Sequence, residues 1–371
     1  MNKDAKIQET VTDIVGASGG TDAQDLSDEE RAKKVQNLDE KLSVNSLGGH
    51  WQHRKPIARL QPFLWRWDDI YSGLIEAGEV VRLGADTMRR TVQLINPVLK
   101  EGERRATSRT IQMSVQLLKP GESARAHRHT AQAIRFVVAG HGAYTTVEGE
   151  RFDMEPNDLI LTPGWTWHDH FNAAYDEVIW LDGLDIPLAQ YLDAQFQVNY
   201  PEDSQMLSVP SGTSRAKLSP TRLKSPNGIE REYPPYRYAW EDTLPVLHKL
   251  LESRDEYLDS YDGLILQYVN PLIGGSTLPT INCTVQLLPP GMMTESHKHT
   301  GTSIYHVING IGEVRLAADD KLRWVQHDCF VIPPWTEHSF ANLSSDSEAI
   351  LFAMSDRPVL DALGLYREEK C

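Results

Sequence analysis

Residues 115–130, VQLLKPGESARAHRHT, return at 285–300 as VQLLPPGMMTESHKHT, with nine identities in sixteen positions at an offset of 170. The match continues: Gly140 and Gly142 fall on Gly310 and Gly312, Asp158 on Asp328, Pro163 on Pro333, Trp165 on Trp335, His168 on His338 and Asn172 on Asn342. Self-similarity over a domain's length means that one unit is built twice, and a chain of 371 residues has room for two cores. Each copy consists of short apolar runs broken by Gly, Pro, Asn and Asp, the texture of antiparallel β structure. The expected fold is all-β dominated and duplicated.

Within each copy the order is a Gly turn, an H-x-H pair, a Gly-bounded hairpin and a later P-x-W-x-x-H. Side chains at i and i+2 of a strand project to one face, so His127 and His129 point together, and His168 on a neighbouring strand adds a third nitrogen. A single H-x-H more often lines a polar barrel mouth; two copies, each with a third histidine at the same offset, favour metal binding. His127, His129 and His168 are therefore the expected metal ligands, with His297, His299 and His338 as a possible second set. The spacing matches that of the cupins, whose jelly-roll barrel is a double-stranded β-helix; two such barrels make a bicupin. The general cupin pattern also carries a carboxylate shortly after H-x-H, where this chain has Ala133 and Ser303. Neither ligates. Three neutral imidazoles leave a divalent ion with its full charge and about three vacant positions of an octahedron, which suits an anionic chelator bound through two oxygens, with one place left for dioxygen.

Composition narrows the partners. Lys and Arg total 37 against 52 Asp and Glu, a formal charge of −15 that repels a nucleic-acid backbone. No apolar stretch approaches the ~20 residues of a membrane span, and the start, MNKDAKIQETVTDIVG, lacks the apolar run of a signal peptide. Cys283, Cys329 and Cys371 form no C-x-x-C pair and suit a reducing compartment. A soluble, cytoplasmic protein is expected, acting on a small molecule, with no nucleic acid and no membrane. Residues 1–50 read as a polar arm with a helix in DEERAKKVQNLDEKL, and 51–200 as the first barrel domain. Residues 201–235, rich in Ser and Pro, read as a linker, and 236–371 as the second barrel domain. WRWDDIYSGLIEAGEV and WEDTLPVLHKLLESRDEYL have helical spacing and supply flanking helices.

Through WRWDDI, EAGEV, LINP, AHRHT, IRFVVAGHGAYT and PGWTWHDH the sequence, from about Trp65 to about Phe352, closely resembles the gentisate 1,2-dioxygenase family of bicupin ring-cleaving enzymes. That family includes salicylate and 1-hydroxy-2-naphthoate dioxygenases. The resemblance implies Fe(II) on His127, His129 and His168, and a homotetramer. It also implies that O2 enters gentisate or a related 2-hydroxybenzoate between the carboxyl- and hydroxyl-bearing carbons. Arg135 lies on an otherwise apolar strand, where an unpaired cation is costly; its anion is either the substrate carboxylate, held by the guanidinium fork, or an internal partner. His170 shares a face with His168, placed either to hydrogen-bond substrate or oxygen and move a proton, or simply to support the site. The resemblance suggests that Gln116 and Asp182 orient substrate or His170, which makes His170, Arg135 and Asp182 the expected catalytic set. Arg89 and Arg90 are either a solvated pair or a further cation for the acid, with Arg90 taken as the substrate contact.

In the second copy Tyr305, Phe340 and, at unchanged offset, Phe352 replace Arg135, His170 and Asp182. Turnover is expected in the first barrel, and structure or weak metal binding in the second. Other classes fit less well. A manganese oxalate-decarboxylase-like bicupin keeps the carboxylate that Ala133 and Ser303 lack. A metal-free storage or sugar-binding bicupin has no use for six histidines at ligand spacing. A non-catalytic metal-binding bicupin, or a cupin dioxygenase or isomerase for another chelating acid, is the remaining alternative.

Overall fold

The structure, a computed structural model, describes residues 26–49, 51, 59–84, 87–101, 105–220, 232–317 and 320–371. The segment MNKDAKIQETVTDIVG and residues 221–231 of the expected linker lie outside the described residues. The chain divides into two units, 1–57 and 58–371. In the first, the helix expected in the arm spans Asp28–Ser43 and opens with a capping box, Ser27 Oγ accepting from Glu30 N and the Glu30 carboxylate from Ser27 N. None of that helix is buried.

In the second unit each copy of the repeat forms two sheets packed face to face. In the first barrel a six-stranded sheet runs Arg237–Tyr238, Leu159–Thr162, Ala133–Ala139, Val178–Leu184, Gln112–Leu118, Thr91–Gln93. It faces a five-stranded sheet of Gln197–Asn199, Ser123–His129, His168–Asn172, Ala143–Val147 and Glu150–Met154. The second barrel repeats this with Phe63–Trp65, Cys329–Ile332, Ser303–Asn309, Ala349–Ser355, Asn282–Leu288 and Leu264–Gln267 against Lys321–Trp324, Gly312–Leu316, His338–Asn342, His297–His299 and Glu368–Lys370. The two barrels are the expected bicupin. Along Ala133–Ala139, Ile134, Phe136 and Val138 join a core shared by both barrels, where Phe136 stacks on Phe352 at 4.1 Å, while Val137 packs inside its own barrel. Covered on both faces, such strands read as continuous apolar runs. The helices Trp67–Val80 and Trp240–Leu251 flank the barrels and bury Ile70, Leu74 and Leu247 in the same core.

On either side of residues 201–235 a short strand crosses into the other barrel's sheet. Phe63–Trp65 pairs with Cys329–Ile332 of the second barrel, and Arg237–Tyr238 pairs with Leu159–Thr162 of the first, so each copy lends the other an edge strand and covers an open sheet edge. Asp158 and Asp328, equivalent in the repeat, receive these crossing segments. Asp158 accepts from Arg237 Nε and Trp240 N at 2.6 and 2.9 Å, Asp328 from Arg66 Nη1 and Trp67 N, both at 2.8 Å. The early part of the linker is bonded to the first barrel, with Gln205 N donating to Asp169 and Val209 N to Gly149 O.

A second reciprocal clasp joins the barrels. Asp185 accepts from Gln132 N at 2.7 Å and from Thr280 Oγ1 at 2.6 Å; Asp356 accepts from Thr302 N at 2.8 Å and from Thr110 Oγ1 at 2.6 Å. Burial pushes the Asp185 carboxyl up to about 6, against hydrogen bonds that pull it down, and shifts Asp356 the same way. A folded-state value above the unfolded one means that the native state binds the proton more tightly. The stabilisation is therefore complete below about 3.8 and lost as pH rises through about 6. Relative to Asp185→Asn, the wild type should lose up to roughly 3 kcal/mol between these limits, measured by urea unfolding across the range; a constant difference would remove the burial argument.

Candidate metal centre

His127 and His129 close the strand Ser123–His129, and His168 opens the adjacent strand directly opposite His127. The three rings turn into the barrel with centroids 4.4, 4.9 and 5.5 Å apart and ligand nitrogens within 4.8 Å of one another. Each Nδ1–H donates to a backbone carbonyl at 2.9 Å, that of Arg125, Ala131 and Thr166 in turn. A carbonyl only accepts, so the proton sits on Nδ1 and each Nε2 keeps its lone pair. Burial holds the imidazoles neutral: with Arg89 adding repulsion, His127 is pushed down to about 2 and His129 to about 4, and His168 lies well below its usual value. Neutral nitrogens of fixed tautomer with a common focus fit a divalent transition metal, and the buried His168 Nε2 has no hydrogen-bond partner.

The turn before His168 carries Trp165 at φ +62°, a left-handed conformation costly for a large side chain. Trp165 N donates to His129 O at 2.7 Å, and the Arg128 guanidinium lies 4.5 Å over its ring. The turn thus clips the two ligand strands together. Trp335, at φ +59°, repeats the device with His299 O at 2.6 Å.

Arg135 and Asp182 are cross-strand partners on the facing sheet, with Arg135 Nε 3.4 Å from Asp182 Oδ1. Arg135 Nη1 also donates to Thr162 Oγ1, and Trp180 Nε1 donates to Asp182 at 3.1 Å. The internal ion pair therefore exists, but it does not balance the pocket. Arg89 enters as well, its Nη2 donating to His127 Nε2 at 2.8 Å and its Nη1 to Gln116 Oε1 at 3.4 Å. Among the described residues two guanidiniums meet one carboxylate, and one positive charge stays uncompensated. Burial lowers Arg135 to about 10 and raises Asp182, each opposed by the other's charge. His170 Nδ1 bonds Thr145 Oγ1 at 2.8 Å and its ring lies 5.3 Å from that of Trp180. Gln116 Nε2, Arg135 Nε and His170 Nε2 are buried without hydrogen bonds. Orphaned polar atoms are costly, and a ligand carrying both anionic oxygens and a hydroxyl satisfies them, the oxygens accepting from Gln116 and Arg135 and the hydroxyl donating to His170 Nε2.

Of the residues expected at the site, His127, His129, His168, His170, Arg135, Asp182 and Gln116 converge; Arg90 does not. Its guanidinium forms a bidentate pair with Glu122, both contacts at 2.8 Å, and donates to Val81 O. Successive side chains of an extended segment face opposite ways, so only Arg89 enters the pocket. Thr145, Thr162 and Trp180 add to the expected set. Trp180 is legible from its i, i+2 relation to Asp182, whereas the threonines depend on strand register. Arg90→Ala should cost about 2 kcal/mol of stability by leaving Glu122 partly buried without its cation. Arg89→Ala should instead raise KM for an anionic substrate with little change in melting temperature; thermal scans and initial rates on both variants separate the roles.

The second triad lies in the equivalent place, its ligand nitrogens also within 4.8 Å. Tyr305, in place of Arg135, stacks on Phe330, and Phe340, in place of His170, joins the same core. The third replacement is corrected by the register. Asp182 pairs with Ser114, whereas Phe352 pairs with Val285, the counterpart of Val115. One extra residue in the turn after Asn342 shifts the offset to 171, so Ala353 is the counterpart of Asp182 and Phe352 faces the shared core.

Residues 114–184 and 284–355 each match the cupin domain model. The chain is 37% identical over 341 residues to a 5-aminosalicylate 1,2-dioxygenase of a Comamonas species, covering 90% of this chain and 89% of that protein. It is 35% identical to gentisate 1,2-dioxygenase 1 of Aquipseudomonas alcaligenes, covering 89% and 94%. Among solved structures, salicylate 1,2-dioxygenase from Pseudoaminobacter salicylatoxidans with gentisate superposes with a TM-score of 0.82 at 29% identity, covering 95% of this chain and 98% of that one.

Proposed function

Because the chain belongs to the gentisate 1,2-dioxygenase family of bicupin ring-cleaving enzymes, we propose that its first barrel holds Fe(II) and works on a 2-hydroxybenzoate. The protein is a ring-cleaving 1,2-dioxygenase that opens gentisate or a related 2-hydroxybenzoate of the salicylate type between the carboxyl- and hydroxyl-bearing carbons with O2. The observation that carries the reading is the meeting of three neutral Nε2 lone pairs with an uncompensated guanidinium in one buried pocket.

Iron on His127, His129 and His168 supplies, when bound, a Lewis-acid and redox centre at which the acid and dioxygen meet. The chain's own groups do the rest. Arg135, oriented by Asp182 and Thr162, holds the substrate carboxylate through charge-assisted hydrogen bonds. Arg89 adds a second guanidinium, turning from the His127 lone pair to the anion beside it, and Gln116 donates its free Nε2–H to a substrate oxygen. His170, braced by Thr145 and Trp180, offers Nε2 to take the phenol proton and return it to the product side. The buried walls exclude water from the reacting atoms.

A homotetramer in the cytoplasm belongs to the same reading; sedimentation measures the former. Oxygen uptake by the iron-loaded protein with gentisate, salicylate, 5-aminosalicylate and 1-hydroxy-2-naphthoate tests the activity. One O2 consumed per ring opened is expected with at least one acid. No uptake with any of them returns the protein to the metal-binding bicupin class.

A further inference from the structure

The second triad departs from the first at one ring. His299 Nδ1 donates to Gly301 O at 3.0 Å and His338 Nδ1 to Thr336 O at 2.8 Å, but His297 Nδ1, in a residue 3% exposed, has no hydrogen-bond partner. In the first barrel the strand Ser123–His129 brings Arg125 O beneath His127; the corresponding strand here is only His297–His299. Two carboxylates face this ring instead. Glu368 Oε1 is 3.9 Å from His297 Nδ1, and Asp262 Oδ1 is 4.0 Å from His297 Nε2.

Glu368 arrives on the strand Glu368–Lys370, paired with His297–His299; the corresponding strand beside the first triad, Gln197–Asn199, carries no acid. Tyr261 stacks on His297 and Tyr366 on His299, walling the site. The cavity left there is about 120 Å³, against roughly 300 Å³ and more for ordinary small-molecule pockets. Arg357, at its wall, is bonded to Asp361 and lies over Tyr366.

We propose that the second barrel is a separate metal centre of His297, His299, His338 and Asp262, with Glu368 as the positioning residue for His297, and that it retains a divalent ion without admitting an aromatic acid. An ion about 2.1 Å from each of two ligands spans up to about 4.2 Å, and Asp262 Oδ1 meets that limit toward His297 Nε2 at 4.0 Å; it stands outside the 4.8 Å cluster of the three imidazoles and turns inward to join them. Asp262 restores, from another part of the chain, the acid that Ser303 does not supply. Its charge halves that of the ion and its oxygen fills a fourth position. A chelating anion then finds less charge, less room and no guanidinium where Arg135 stands in the first barrel. His297 Nε2 bonds His338 Nε2 at 3.0 Å; an ion that takes both Nε2 lone pairs leaves the His297 proton on Nδ1, where Glu368, 3.9 Å away, accepts it as a carboxylate behind a ligating histidine.

Anaerobic loading of metal-free protein with Fe(II), removal of excess metal and elemental analysis test the proposal whether or not any ring is opened. Two ions per chain are expected for wild type, and one each for His338→Ala and His168→Ala, the latter retaining the second centre. Glu368→Gln should weaken the second site about 10- to 100-fold, and Asp262→Asn at least as much. Asp262 is partly exposed, so its variant reports on the site even if His338→Ala fails to fold. Salicylate added without oxygen should raise one charge-transfer chromophore per wild-type chain, kept in Asp262→Asn and lost in His168→Ala. One ion per wild-type chain, or full loading of Asp262→Asn, overturns the centre. Two chromophores per chain overturn the exclusion of the acid.

Discussion

Replacing His168 by alanine should abolish ring opening, lowering the rate at least ~10³-fold, while the chain stays folded. The effect is large because the site has no redundancy. Ala133 stands where a fourth protein ligand would be, so loss of one nitrogen leaves two, too few to hold a divalent ion against water. The effect on the fold is small for a reason visible at the ring itself. His168 spends only Nδ1–H on the protein, on Thr166 O, and its Nε2 has no partner, so the substitution forfeits about 1 kcal/mol of hydrogen bonding plus some packing. Activity and first-barrel metal should vanish together while the metal-free melting temperature moves by a few degrees. A variant that cleaves at normal speed would sink the account of the site.

The repeat made much of this legible, because the residues shared by the two copies are of two kinds. One kind is the six histidines, grouped as metal ligands would be. The other holds the fold: Asp158 and Asp328 receive crossing segments, and Asn172 and Asn342 each bond the carbonyls that close a turn. The groups proposed to act on substrate are those the copies do not share, Arg135, His170 and Asp182. What stayed hidden depended on long-range register. The exchanged edge strands pair residues 268 and 77 positions apart in sequence (Phe63 with Val331, and Arg237 with Ile160), and nothing local in Phe63–Trp65 names its partner. The choice of Arg89 over Arg90 turned on which face of one short segment points inward. The extra residue after Asn342 mattered for the same reason, since a shift of one position turns a strand residue from barrel interior to interface.

Arg135→Met should lower kcat/KM about 10²- to 10³-fold, the loss of roughly 3–4 kcal/mol of charge-assisted binding, and most of the change should fall on KM. Arg135→Lys should recover only part of it, because an ammonium keeps the charge without the planar fork. Arg135 also sits 3.4 Å from the buried Asp182, so its loss leaves that carboxylate with Trp180 Nε1 and the charge of Arg89. The single variant is therefore destabilised for a reason unrelated to substrate. The double variant Arg135→Met/Asp182→Leu separates the two effects. With both charges gone, the stranded carboxylate no longer burdens the fold and the melting temperature should recover. If Arg135 were only half of an internal ion pair, KM would recover with it; if the guanidinium grips the acid, KM stays raised in a protein as stable as the wild type.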